Sequence, residues 1–261
     1  MGIPPQAGLL KEIADGHIEV RTLVGEGQSP HSYEPTARQL AALGKSNALF
    51  TLGVPFEKTL LKKIEPLYPD LPIVATGQGI ELRTMPHAHH GEPCSVGHGE
   101  NDPHVWLTPL NALAIASNIL QALELADPEN ADAYRSNYNQ LKDKLETLDA
   151  LFKNTLEPFK GSRFYVFHPS FGYFADAYGL RQVPIELEGK SPSPRQLANL
   201  IEQARAEGVK VVFVQKQFPA SSANAVAQAI GGTVVQLDPL AEDVVANLRQ
   251  IAESIIQALE K

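Results

Sequence analysis

One segment decides how this chain is organised: DPENADAYRSNYNQLKDKLETLDALFKNTLEP, residues 127–158. Asp127 is a favourable helix N-cap, Pro128 suits the first turn, and Pro158 ends the pattern. Between them, apolar side chains recur every three or four residues, which predicts a helix with one buried face. This face comprises Tyr134, Tyr138, Leu141, Leu145, Leu148, Phe152 and Leu156. At 1.5 Å per residue, the helix would be about 45 Å long and could connect two lobes.

On both sides of this helix, short β-rich apolar runs alternate with helical patterns, as in parallel βαβ units. The predicted strands are residues 18–24, 48–52, 73–75, 164–167, 182–185, 209–214 and 233–237. The predicted helices lie near residues 35–44, 55–66, 194–207, 220–229 and 241–259, and another begins near Pro109. We therefore expect an α/β fold of two lobes, each a mainly parallel β-sheet flanked by helices, joined by one long rigid helix. The N-terminal lobe is placed at 1–126, the connecting helix at 127–158 and the C-terminal lobe at 159–261.

Composition narrows the classes of function. A length of 261 residues suits one large domain or two of ordinary size, and 43% apolar residues is typical of globular proteins. The net charge of −8, without a basic cluster, argues against a nucleic-acid partner. No apolar run is long enough to cross a bilayer, and no signal peptide is recognised. The single cysteine, Cys94, cannot form an intramolecular disulfide, so cysteine usage does not identify the compartment.

Candidate ligand residues lie where predicted strands end. His168 directly follows the strand 164–167, and Asp238 directly follows the strand 233–237. His31 lies in a loop between a predicted strand and a helix, and His104 lies in a loop before the helix near Pro109. Open α/β sheets bind their ligands at the carboxyl ends of their strands. These residues are therefore candidates for one binding site.

The spacing of these four residues excludes a local zinc finger. Each lies at least 64 residues from the next, whereas zinc fingers take their ligands in close pairs. Three imidazoles and one carboxylate suit tetrahedral Zn²⁺, and loops this far apart in sequence could line a cleft between two lobes. A single histidine beside a strand is more often structural, so the hypothesis depends on all of them together.

Several stretches, in this order, resemble the motifs of the ZnuA-like, zinc-binding substrate-binding proteins of bacterial metal-uptake ABC transporters, within the TroA-like superfamily. They are IPPQ (3–6), SPHSYEPT (29–36), DPHVWL (102–107), FHPSFGYF (167–174) and LDPL (237–240). EGKSPSP (188–194) and QKQF (215–218) add to the resemblance in the C-terminal lobe.

The resemblance implies two lobes joined by a rigid helix, a zinc or manganese site in the cleft, and delivery of the ion to a membrane permease. By motif position, His31, His104 and His168 are implied as metal ligands. Asp238 is implied less firmly, because water can take the fourth position. Manganese-type relatives have a carboxylate where this chain has His168, which favours Zn²⁺ over Mn²⁺ because imidazole is the softer ligand.

The segment 85–98 resembles the histidine-rich loop of zinc-type members. It contains His87, His89, His90 and His98, which are candidates for a secondary metal site. The alternative is a polar insertion without a function in metal binding. Cys94 lies in the same segment and is more simply explained as a surface thiol.

The favoured hypothesis is a binding protein that is not an enzyme, captures Zn²⁺ and delivers it to an ABC permease. We expect a monomer located in the periplasm or elsewhere outside the cytoplasm, with its signal peptide absent and a lipid anchor left open. One alternative is uptake of manganese or iron by the same architecture. Another is a zinc-dependent hydrolase, since three histidines and a water resemble a catalytic zinc site. No HExxH motif or carboxylate pair supports that alternative.

Overall fold

The computed structural model describes residues 1–85, 101–186, 192–218 and 220–260. The helices are α1 (Pro4–Ala14), α2 (Ala37–Leu43), α3 (Pro55–Ile64), α4 (Pro109–Ala126), α5 (Ala131–Leu156), α6 (Gly172–Ala177), α7 (Pro194–Ala206), α8 (Ser221–Ile230) and α9 (Val244–Leu259). The strands are β1 (Leu49–Thr51), β2 (Ile73–Ala75), β3 (Arg163–Val166), β4 (Arg181–Pro184), β5 (Val211–Gln215) and β6 (Thr233–Leu237). Helices flank parallel sheets, which confirms the predicted α/β class. Across the described residues, every helix is too short or too polar to span a lipid bilayer.

The chain forms two compact units, and neither is continuous in sequence. The first comprises Met1–Glu81, Thr108–Ala150 and Leu240–Leu248. The second comprises Leu82–Leu107, Leu151–Pro239 and Arg249–Lys261. The division into lobes at 1–126 and 159–261, with a connecting helix at 127–158, stays a prediction.

The first unit contains a two-stranded parallel sheet in which Leu49 of β1 is level with Ile73 of β2. A series of hydrogen bonds between buried polar groups fixes the end of this sheet. The Gln6 side chain, on α1, donates from Nε2 to Thr76 Oγ1 at 2.7 Å, and Thr76 Oγ1 donates to Thr51 O at 2.9 Å. Because each buried polar group has a partner, the turn after β2 is held against α1 without an unpaired donor.

The second unit is built on a four-stranded parallel sheet with the strand order β4-β3-β5-β6. Tyr165 of β3 is level with Val212 of β5, and Phe213 of β5 is level with Val235 of β6. The core strand β5 is buried throughout, as its nearly continuous apolar sequence predicts. Since all four strands run in the same direction, the residues that follow β3, β5 and β6 emerge at one edge of the sheet. His168 and Asp238 are among them.

The long helix is observed, but it begins later than the sequence predicted. Pro128–Asn130 forms a 3₁₀ turn, α5 runs over Ala131–Leu156, and a second 3₁₀ turn follows at Glu157–Phe159. Asp127 stabilises this start through its side chain, because Tyr134 Oη donates to its Oδ2 at 2.5 Å. The predicted apolar face is buried at Tyr134, Leu141, Leu145, Leu148, Phe152 and Leu156.

The predicted strand at residues 18–24 is wrong. Its backbone bonds to the first residues of the chain at three positions, from Met1 N to Arg21 O at 3.0 Å, from Leu23 N to Met1 O at 3.0 Å and from Val24 N to Gly2 O at 3.1 Å. The pairing ends after Val24, because the segment beside it enters α1 at Pro4. A strand needs a continuous ladder of hydrogen bonds, so β-rich composition alone did not produce one here.

Candidate metal centre

In the first unit, His31 lies in the loop that leads to α2. Its backbone N donates to Ser29 Oγ at 3.3 Å. Two residues further on, Tyr33 Oη donates to Leu23 O at 2.6 Å, and the capping box at Thr36 begins the helix. The loop around His31 is thereby fixed at both ends, while the His31 side chain itself is not buried.

In the second unit, a buried glutamine holds the backbone of His168. Gln215, the last residue of β5, is fully buried. Its Oε1 accepts from His168 N at 3.1 Å, and its Nε2 donates to His168 O at 2.5 Å. The side-chain amide thus bonds both polar backbone groups of His168 beyond the end of β3. This fixes the backbone from which the imidazole projects.

The imidazole of His168 is fixed on two further sides. Its Nδ1 lies 2.5 Å from Glu186 Oε1, and the Phe218 ring stacks on it with the two centroids 4.6 Å apart. The side chains of His168 and Glu186 are 6% and 3% exposed. Because water is excluded from both groups, their hydrogen bond is not weakened by solvent.

The imidazole of His104 is fixed in the same manner. Asp102 Oδ1 accepts from His104 N at 3.0 Å and lies 2.7 Å from His104 Nδ1. Nearby, Trp106 packs against the His104 ring with the centroids 5.6 Å apart and donates from Nε1 to Pro239 O at 2.7 Å. His104 is 3% exposed, so its ring has one well-defined position.

The two histidines point their other ring nitrogens at each other. A carboxylate that is ionised can only accept, so an imidazole that is neutral and bonded to it carries its ring hydrogen on the Nδ1 that faces the carboxylate. The lone pairs of the two Nε2 atoms therefore face one another, and these atoms are 3.3 Å apart. Two nitrogens that each lie 2.0–2.1 Å from a tetrahedral zinc ion are about 3.3–3.4 Å apart. The pair has the spacing that two ligands of one Zn²⁺ require.

Burial and hydrogen bonding shift the pKa values of His104 and Asp102. Burial lowers the pKa of His104, and the hydrogen bond to Asp102 offsets only part of that effect. Burial acts to raise the pKa of Asp102, but hydrogen bonds from His104 and Arg83 outweigh it and hold that pKa below its ordinary value. A neutral imidazole and an ionised carboxylate are the forms that metal binding needs.

Gln217 and Lys216 are among the partners of Asp238 in the second unit. Its Oδ1 accepts from Gln217 Nε2 at 3.0 Å, and its Oδ2 lies 3.2 Å from Lys216 Nζ. Its side chain is 17% exposed, so it remains partly open to solvent. The assignment of Asp238 as the fourth ligand stays a prediction.

The predicted secondary site lies outside the described residues. His87, His89, His90, His98 and Cys94 all fall within residues 86–100.

Sequence reasoning did not identify the roles of Asp102 and Glu186. The available signal for Asp102 was its place two residues before His104 in DPHVWL, which allows one carboxylate to reach both the backbone and the ring. Glu186 follows β4, the strand next to β3, and therefore emerges at the same sheet edge as His168. Its role could have been inferred only from the strand order.

A parallel α/β sheet with carboxylate-bonded histidines close to its carboxyl edge is an arrangement that suits a metal-binding protein. Comparison with known proteins agrees. A family described as "ZnuA: Zinc-uptake complex component A periplasmic" matches residues 2–260, and this chain belongs to that family.

Individual relatives extend this comparison. The chain is 30% identical over 243 residues to the high-affinity zinc uptake system protein ZnuA of Bacillus subtilis, covering 90% of this chain and 76% of that protein. It is 26% identical over 245 residues to the zinc-binding protein AdcA of Streptococcus pyogenes, covering 88% of this chain. The chain spans about half the length of that relative, 48%.

Among solved structures, a crystal structure of ZnuA superposes with a TM-score of 0.90 at 36% identity, covering 99% of this chain and 97% of that one. The resemblance stated from the sequence motifs is thereby confirmed, as is the fold with its long helix. The family and the relatives carry names of zinc-uptake and zinc-binding proteins, in keeping with the prediction of a binding protein and not an enzyme.

Proposed function

We propose that this chain binds one Zn²⁺ through His31, His104 and His168 and delivers it to a membrane ABC permease. The observation that supports zinc binding most directly is the 3.3 Å separation of the Nε2 atoms of His104 and His168. Both lone pairs point at the same place, and a cation between them removes their mutual repulsion. The names of the relatives, zinc-uptake and zinc-binding proteins, support the same ion.

Charge balance supports a divalent ion. Asp102 and Glu186 are two buried carboxylates, and the histidines bonded to them are neutral when they bind metal. Arg83 contributes one positive charge through its ion pair with Asp102. Buried charge is costly unless it is compensated. Among Asp102, Glu186 and Arg83, the net charge without metal is negative, and a bound Zn²⁺ would compensate it.

The donor set supports zinc over manganese. Imidazole nitrogens suit Zn²⁺, whereas Mn²⁺ prefers shells rich in carboxylate oxygen. Asp238 is proposed as the fourth ligand, with water as the alternative. If Asp238 binds the ion, it must share its carboxylate with Gln217 and Lys216 or release one of them.

Delivery to a permease and a location outside the cytoplasm are proposed on the strength of the family description, which names a periplasmic component of an uptake complex. The monomeric state is proposed from the sequence alone. A direct test of delivery uses the cognate permease in lipid vesicles. The zinc-loaded chain should stimulate ATP hydrolysis by the permease more than the metal-free chain does. Equal stimulation by both forms would contradict delivery.

Zinc binding is tested by metal analysis after exhaustive dialysis. We expect about one zinc per chain in the wild type and much less in His31→Ala, His104→Ala and His168→Ala. His17→Ala is the matched control, because His17 is exposed and packs edge-on against Tyr134 in the first unit. It should retain zinc as the wild type does. Full retention of zinc in His104→Ala and His168→Ala would overturn the proposal.

A further inference from the structure

The Arg83 side chain contacts two other parts of the second unit, the segment of Asp102 and helix α6. Its Nη1 donates to Asp102 Oδ2 at 2.7 Å, and its Nε donates to Asp176 Oδ2 at 2.8 Å. The guanidinium carbon lies 5.8 Å from the centre of the Tyr173 ring. The Arg83 side chain is 19% exposed and that of Asp102 is 0% exposed, so their ion pair is largely shielded from water.

The backbone around Arg83 is tied to the segment that contains Asp102 and His104. Asp102 N donates to Arg83 O at 2.8 Å, and Thr84 forms an isolated antiparallel bridge with Asn101. Tyr173 Oη donates to Asp102 O at 3.0 Å and accepts from Arg83 N at 3.2 Å. Arg83 and Asp102 are therefore fixed by main-chain bonds as well as by their side chains.

The ion pair lies beside Gly172, the first residue of α6, in the space that a Cβ atom of any other residue would occupy. A Cβ atom at this position would lie 1.8 Å from Arg83 Nη1 and 2.7 Å from Asp102 Oδ2. No side chain can be placed there without displacing the guanidinium. The glycine at the start of α6 is thus required by the ion pair and not by its own backbone angles.

Asp102 divides its two oxygens between two partners. Oδ2 accepts from Arg83, while Oδ1 faces both the backbone N and the ring Nδ1 of His104. If Oδ2 lost its partner, the carboxylate would keep only the bonds that Oδ1 makes to His104, and its orientation relative to the imidazole plane would be less constrained. The ring would then lose part of the constraint that directs its Nε2.

We propose that Arg83 is a positioning residue for the metal site: it holds Asp102 in the one orientation that directs Nε2 of His104 at the ion. This inference rests on the proposed zinc function and adds to it a residue that does not touch the metal. Arginine suits the role because its guanidinium is planar and always charged, so that Nη1 stays directed at Asp102 Oδ2.

The test compares three variants as full chains. In Arg83→Gln, the amide nitrogen takes the place of the arginine Nε, so it can reach Asp176 but not Asp102. We expect zinc to bind about tenfold more weakly, at the low end of the effect of outer-shell partners on metal affinity. Arg83→Lys restores a charged donor closer to Asp102 and should recover most of the affinity. Asp176→Asn is the control, because it changes only the exposed partner of Arg83 and should bind zinc as the wild type does.

Two measurements distinguish a positioning role of Arg83 from a general disturbance of the fold. Zinc affinity is measured by competition with a chromogenic chelator, and the visible spectrum of the Co²⁺-loaded protein reports the arrangement of the ligands. The spectrum should change in Arg83→Gln and return towards the wild type in Arg83→Lys. Wild-type affinity and an unchanged Co²⁺ spectrum in Arg83→Gln would overturn the inference. If Arg83→Gln does not fold, Arg83→Met is measured instead, and the same two outcomes decide.

The proposed function fails in a different way. If the wild type does not bind zinc tightly, or if His104→Ala binds it unchanged, the metal site itself is wrong. If wild type and His104→Ala behave as proposed but Arg83→Gln and Arg83→Lys both match the wild type, only the role of Arg83 is wrong.

Discussion

Replacement of Glu186 by glutamine should weaken zinc binding without destabilising the metal-free protein. Glu186 is 3% exposed at its side chain, and its Oε1 lies 2.5 Å from Nδ1 of His168. Glutamine keeps the shape and an oxygen that accepts from Nδ1, but it removes the negative charge. The imidazole of His168 then becomes a poorer ligand, because no anion balances the charge that it donates to the ion.

The expected loss of zinc affinity can be estimated from the contact between Glu186 and His168. Carboxylates that accept from a ligating histidine contribute about 10–100-fold to metal affinity, or about 1.4–2.7 kcal/mol. Asp102 is a second carboxylate in the same buried region, so removal of one charge relieves the metal-free protein of part of the cost of burying two. Zinc-induced stabilisation should shrink by about 1.4–2.7 kcal/mol, while the metal-free stability stays equal or rises.

The assay combines chelator competition for the zinc affinity with urea unfolding in the presence and absence of zinc. Glu202→Gln is the matched control, since it makes the same charge change at an exposed position of α7. The reasoning is refuted if Glu186→Gln binds zinc within about twofold of the wild type, or if Glu202→Gln weakens binding equally.

Further predictions concern the elements that support the site. Leu145→Ala, on the buried face of α5, should cost about 2–5 kcal/mol of unfolding free energy, while Leu151→Ala, 39% exposed on the same helix, should cost about 0.5 kcal/mol. Gln215→Ala leaves the buried N–H and C=O of His168 without this partner; urea unfolding should show a loss of about 2–4 kcal/mol, and zinc affinity should fall as well. Because burial lowers the pKa of His104, the unfolded chain takes up this proton before the folded one. Metal-free stability should therefore fall as the pH drops below about 6.5, and His104→Gln should reduce that fall in a pH series of urea titrations.

Local patterns predicted the elements that position the site. The apolar runs that end before His168 and Asp238 are observed as β3 and β6, and the three-to-four-residue spacing of α5 gave its buried face. Both patterns are short-range, because each reports burial on one element. The position of His168 followed from the rule that parallel strands present ligands at their carboxyl ends, whereas the strand predicted before His31 is not observed.

Features that depend on pairing between distant segments could not be predicted. The run 18–24 has a β-rich sequence, but its few backbone bonds, to Met1 and Gly2, do not form a ladder. Glu186 reaches His168 only because β4 lies beside β3, and sequence order does not reveal strand order. Likewise, the partnership of Arg83 with Asp102 depends on main-chain bonds across the segment between them.

Anomalous diffraction at the zinc edge from crystals of the zinc-loaded chain tests the central claim most directly. We predict one zinc peak about 2.0–2.1 Å from Nε2 of His104 and from Nε2 of His168, with each Nδ1 still bonded to its carboxylate. A zinc ion bound elsewhere, or bound through the Nδ1 atoms with Asp102 and Glu186 displaced, would contradict the account.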